Sequence, residues 1–177
     1  MTDQLPERAG PVPARNTSIP LGVVFERRRI MHPWQEWRWK PVALIPGAPA
    51  IAEPTLLREG DDWAWHHLAT LELELFVDET RDYCLNLSQQ PPLVYVLWRS
   101  DSSMPDGRPE PFRVTVCHTE TQDYLDGGDV IADGVVMPDP ILTLVDAYVR
   151  AYHVDVPFKK RQRTPLVREC RSKDSYG

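Results

Sequence analysis

Apolar and polar residues alternate with a period near two along most of this chain, the mark of strands that bury one face. The run Ile19-Pro-Leu-Gly-Val-Val-Phe25 is apolar and β-branched and stops at Glu26-Arg-Arg-Arg29. It predicts a strand that enters the core and leaves into solvent. The stretch His32–Gly47, HPWQEWRWKPVALIPG, is the most unusual in composition. Its Trp37 and Trp39 alternate with Arg38 and Lys40, so a strand should run from near Glu36 through Ile45 and end at Pro46-Gly47. The Ile45–Pro46 bond is able to adopt the cis form.

After a loop, Ala48–Pro54, the segments Thr55–Arg58 and Trp63–His66 flank Glu59-Gly-Asp-Asp62 and read as a hairpin, with Gly60 supplying a positive φ. Ala69–Val77 alternates cleanly, with Leu71, Leu73, Leu75 and Val77 opposite Glu72, Glu74 and Phe76. A turn at Asp78–Arg81, a half-buried strand Tyr83–Leu87, a break at Gln89–Pro92 and a continuous apolar, central strand Leu93–Trp98 are expected next. Asp101–Pro111 reads as a loop, returning through a strand at Phe112–His118.

The pattern then turns helical. Thr119-Glu-Thr-Gln122 fits a capping box for a short helix to about Leu125, ended by Asp126-Gly-Gly-Asp129. Asp139 as N-cap and Pro140 at the first helical position open a longer helix. Its stripe is Ile141, Leu144, Val145, Tyr148, Val149 and Tyr152, its end lies near His153, and Asp146 and Arg150 support its wet side. The expected class is α+β, mainly β: a compact antiparallel barrel or sandwich of seven to eight strands, with a short helix and one longer C-terminal helix. Residues 1–18, rich in Pro, Gly and charge, read as a disordered segment, 19–157 as a single β-rich domain, and 158–177 as a basic tail.

Composition adds little to this except in its charge. The 18 prolines are about twice the usual share and agree with many turns. The net charge of −6 hides an asymmetry, because residues 158–177 carry seven Lys/Arg against Glu169 and Asp174. That leaves −11 on residues 1–157, an acidic body with a basic tail. The body's charge argues against nucleic acid as a partner. No run reaches the roughly 20 apolar residues of a membrane span, and residues 1–18 lack the apolar centre of a secretory signal. The scattered cysteines Cys84, Cys117 and Cys170 do not form a disulfide framework, which favours a cytoplasmic setting.

Candidate chemistry is sparse. Neither GxxxxGK[ST] nor a strand–GxGxxG–helix arrangement occurs, nor a GxSxG nucleophile elbow. His66-His67 on a strand should point to opposite faces and so miss a shared ion, and Cys117-His118 suffers from the same geometry. Asp123, Asp126, Asp129 and Asp133 recur near a Gly-Gly turn without the spacing of a calcium loop, and read as a solvated acidic loop. An enzyme built from His66, His118, Cys117 or that turn is a minor reading, and no cofactor, metal or catalytic residue is assigned. Trp39, Trp63 and Trp65 are expected to pack, whereas Trp34 and Trp37, beside Arg38, are candidates for an exposed contact surface.

Residues 19–163 resemble an uncharacterised proteobacterial family, a domain of unknown function encoded near molybdenum-dependent formate dehydrogenases. The resemblance is carried by Ile19-Pro-Leu-Gly-Val-Val, His32-Pro-Trp, Trp37-Arg-Trp, Pro41-Val, Leu57-Arg-Glu-Gly, Leu71-Glu-Leu-Glu-Leu, Pro92-Leu-Val-Tyr-Val, Gln122-Asp-Tyr-Leu-Asp and Pro157-Phe-Lys-Lys-Arg. It implies an accessory, maturation or regulatory protein that binds a formate dehydrogenase subunit. It also counts the basic run as part of the domain's pattern. The expected partner-binding residues are His32, Trp34, Trp37, Arg38, Lys159, Lys160, Arg161 and Arg163. The alternative is a β-barrel module for a small ligand or cofactor precursor.

Overall fold

The computed structural model describes residues 12–100 and 107–154. Its strands are β1 (Thr17–Arg29), β2 (Trp37–Pro46), β3 (Thr55–Glu59), β4 (Trp63–Leu75), β5 (Leu93–Ser100), β6 (Pro109–Thr115) and β7 (Ile131–Val136). Its helices are α1 (Thr80–Leu87), α2 (His118–Leu125) and α3 (Asp139–Tyr152). The chain is mainly β, and both sheets are antiparallel, in the orders β2-β1-β4-β3 and β6-β5-β7. They remain two sheets, so the expected barrel does not close. β6 lies against β4, and β2 against β7.

Alternation builds the shared core. Leu21, Val23 and Phe25 of β1, Leu73 and Leu75 of β4, and Val94 and Val96 of β5 are all fully buried. α3 lays Ile141, Val145 and Tyr148 against them, as its stripe predicts. Burying an aliphatic side chain of this size is worth about 1.5–3 kcal/mol. Pro138 rather than Asp139 occupies the N-cap position of α3, without a side-chain cap, and the helix ends at Tyr152 with His153 as its C-cap and with Asp146 and Arg150 paired at 3.0 Å.

Three one-residue bulges interrupt the larger sheet, one of them at Leu57 of β3, between the Leu56–His66 and Arg58–Trp65 pairs. Val23 pairs with Ala69 but Val24 with His67, so Leu68 is the extra residue on β4. Val24 pairs with Ala43 but Phe25 with Pro41, so Val42 is the extra residue on β2. Because side chains alternate with period two, one extra residue exchanges the faces of everything beyond it. The loop after Gly47 (φ +70°) packs onto the outer face at Gly22, where an added Cβ would sit 2.8 Å from Ala48 Cβ and from His67 Nε2.

Several expectations are corrected. Tyr83–Leu87 is not a strand but the body of α1, and Asp78–Arg81 is not a plain turn but a 3₁₀ turn, Val77–Glu79, running into that helix. β4 is one strand from Trp63 to Leu75. β7 was not anticipated. Its Asp133, expected in an acidic loop, instead accepts from Trp98 Nε1 at 2.9 Å. α2 is capped by Cys117, whose sulfur accepts from the Glu120 N–H, and not by Thr119. Gly60 is not a positive-φ residue. A Cβ there would lie 2.4 Å from Trp63 Nε1, so the hairpin needs its missing side chain. The cis peptide among the described residues is Gln90–Pro91, not Ile45–Pro46. Order begins before residue 19: Thr17 and Ser18 belong to β1, and Tyr148 and Tyr152 donate to the Arg15 and Pro13 carbonyls at 2.5 and 2.6 Å.

Candidate functional site

The ends of two neighbouring hairpins, β1–β2 and β3–β4, meet on one side of the larger sheet, where Arg29 N donates to Asp62 O at 2.8 Å. Register places Arg27 opposite Trp39 and Ala64, and Arg28 opposite Arg38 and Trp63. Successive residues therefore sort onto opposite faces. On the inner face the Arg27 guanidinium lies 4.5 Å from the Trp37 ring centre and 5.9 Å from that of Trp39. Such contacts contribute about 0.5–2 kcal/mol and close the end of the core with a cation. Trp39 is buried there and packs on His66 at 5.5 Å.

The outer face carries a different assembly. Glu26 is held by Arg28 through Nε at 2.8 Å and Nη2 at 3.1 Å, and it accepts from Trp65 Nε1 at 3.1 Å. The Arg28 hydrogen bond is the main reason the Glu26 carboxyl sits below its ordinary range, with Trp65 and Lys40 acting in the same direction against burial. Trp65 packs on Trp63 at 5.9 Å, and the Arg58 guanidinium lies 5.9 Å from the Trp65 ring centre. Arg38 and Lys40 are exposed, and Lys40 pairs in register with Glu26. Two half-buried indoles are thus ringed by Arg28, Arg38, Lys40 and Arg58, with one carboxylate among them.

The sequence-predicted residues divide between these surfaces. Trp34 is 91% exposed in the β1–β2 connection, as is Met31 at 106%. His32 accepts the Trp34 N–H on Nδ1 at 3.4 Å, shaping that turn. Trp37 faces inward under Arg27, whereas Arg38 faces outward beside Arg28, so the two do not share a patch. Lys159, Lys160, Arg161 and Arg163 lie outside the described residues. Trp63 and Trp65, expected in the core, stand half-buried on the outer face, and Arg28, Lys40 and Arg58 were missed. The usable signal was the pairing of Glu26-Arg-Arg-Arg with Trp-Arg-Trp-Lys, legible only once the strand register is known.

A second polar cluster lies between α1, α2 and the strands. Tyr83 donates to Glu79 at 2.7 Å and accepts from Phe76 N, and Arg113 ion-pairs Glu74 at 2.7 Å and Glu120 at 2.9 Å. Burial, reinforced by the charge of Glu120, raises the Glu79 carboxyl. Cys117 Sγ donates to Asp82 at 3.3 Å, and burial above all pushes this thiol up to about 12. A thiol so held is protonated at neutral pH, and its side-chain neighbour is the Asp82 carboxylate, whose negative charge disfavours the thiolate, rather than an imidazole that would activate it. His118 packs instead against Tyr95 at 5.8 Å. His67 is buried and bonded to Thr70 at 3.1 Å, while His66 packs at a tilt against Trp39, so the adjacent histidines do not converge. Among the described residues no group of three His, Cys, Asp or Glu side chains could hold a metal ion. No helix of the described residues is long and apolar enough to cross a membrane.

The family model described as Protein of unknown function (DUF3305) matches residues 20–162. No curated protein and no solved structure matches the chain.

Proposed function

The chain belongs to that family of unknown function, and from this premise we propose that it is an accessory binding protein that serves the maturation or regulation of a molybdenum-dependent formate dehydrogenase by protein–protein contact. The enzyme named as partner comes from the genomic setting of the family that the sequence resembles. The observation that carries the binding role is the exposure of Trp34 at 91%, beside Met31 at 106%, on one connection. A tryptophan covers 150–250 Å², and removing that area from water is worth about 4–6 kcal/mol at 25 cal/mol per Å². Such aromatic anchors with arginine nearby dominate protein interfaces. Trp34 at the tip and Arg38 on the outer face supply both, with Lys159, Lys160, Arg161 and Arg163 as the tail's contribution. What weighs against the barrel module for a small ligand or cofactor precursor is a core filled by Trp39, Tyr83, Trp98 and Tyr148.

The test is affinity capture of the full chain from its own cells, comparing wild type with M31A/W34A. A dehydrogenase component should enrich with wild type and fall at least tenfold with the variant. Absence of any dehydrogenase component from the wild-type capture would sink the partner assignment, and equal capture by the variant would sink the surface.

A further inference from the structure

We propose that the outer face of the larger sheet docks a short acidic peptide segment of the partner, laid across the strands with an apolar side chain resting on Trp63 and Trp65. This deepens the binding reading above and rests on it. The face is cationic in a body that is otherwise acidic: Arg28, Arg38, Lys40 and Arg58 surround the two indoles, with Glu26 the carboxylate already held among them. Arg58 stands on β3, and Arg38 and Lys40 on β2, at opposite edges of a four-stranded sheet. Three strand spacings separate them, about 14 Å at 4.7–4.9 Å each. An extended peptide covers that in about four residues at 3.3–3.6 Å per residue. Carboxylates about four residues apart, flanking an apolar residue, therefore match the two cationic edges and the aromatic centre. Arginine gives a carboxylate a planar, two-pronged partner, which suits this chemistry.

A single-stranded nucleic acid could also stack on indoles between arginines, but the surroundings favour the peptide. Glu36, Glu59, Asp61 and Asp62 stand at the hairpin ends bordering the patch, and residues 1–157 carry −11 overall. A continuous phosphate backbone leaving the patch would meet that negative rim, whereas a short acidic segment ends within it.

The probe is a labelled synthetic peptide, Glu-Glu-Leu-Phe-Glu-Glu, free of tryptophan. Its binding to the full-length protein is followed by fluorescence anisotropy and by the protein's own tryptophan emission. Binding should be saturable and perturb that emission. It should weaken at least tenfold when the glutamates become glutamines, when R38E/R58E replaces wild type, or when salt screens the charges. Absence of peptide binding, equal binding by R38E/R58E, or tighter binding of an oligothymidylate of matching length would overturn the proposal. Capture of a dehydrogenase component alongside any of those results would leave the partner assignment standing and remove this surface alone.

Discussion

Replacing Asn86 by leucine should destabilise the fold strongly. The side chain is 1% exposed and holds three backbone groups at once. Its Nδ2 donates to Leu93 O at 2.7 Å and to Val116 O at 2.8 Å, and its Oδ1 accepts from Leu93 N at 2.9 Å. One residue thereby ties α1 to the start of β5 and to the segment that leads into α2. Leucine shares the branched shape of asparagine but is bulkier, so no cavity is left, and overpacking adds to a polar loss that decides the outcome. Each abandoned buried group costs about 1–3 kcal/mol, and the Leu93 N–H loses the acceptor that served it. With the two carbonyls at the low end of that range, because each keeps a second lone pair, the sum is about 3–5 kcal/mol, a large part of the 5–15 kcal/mol typical of a domain. In urea the midpoint should fall with the slope m unchanged, and Tm should drop by about 10 °C for a domain of this size. A loss below about 1 kcal/mol at unchanged m would refute the reasoning, because it would mean that water or a shifted backbone satisfies all three groups.

Glu79 provides a pH test. Its native carboxyl is raised above the ordinary 4.5, first by burial, so the native state prefers the protonated form. The contribution is present below the unfolded value and is lost as pH rises through the raised native one. E79Q should therefore be more stable than wild type at pH 7–8, with the gap closing below pH 4.5, as followed by thermal melts across pH. A constant gap would contradict this. Cys117, with its thiol pushed up to about 12 and its side chain buried, should react with iodoacetamide at pH 8 about a hundredfold more slowly than half-buried Cys84, as read by peptide mass mapping. Equal rates in the folded protein would show that α2 opens readily.

Much of this architecture was legible because it is local. The strand alternation, the break at Pro46-Gly47, the Thr55–Trp65 hairpin and the stripe of α3 each follow from periodicity over neighbouring residues. What failed was long-range. α1 buries Thr80, Tyr83 and Asn86 while Leu85 is 57% exposed. That inverts ordinary hydropathy, and it is tolerable only because Leu93 and Val116 satisfy the amide. β7 was hidden for a similar reason: Ile131 and Val136 are exposed, and Asp133 is useful only because Trp98 reaches it. The surface was decided by the fold most of all. Counted back from Leu75 and Leu73 with strict alternation, Trp65 and Trp63 fall on the core side. The extra residue at Leu68 exchanges the faces, sends Ala64 and His66 inward and turns both indoles out among the arginines. The sequence by itself determined that strands and tryptophans would be here. The tertiary pairing decided which way they face, because a bulge exists only relative to the strand beside it.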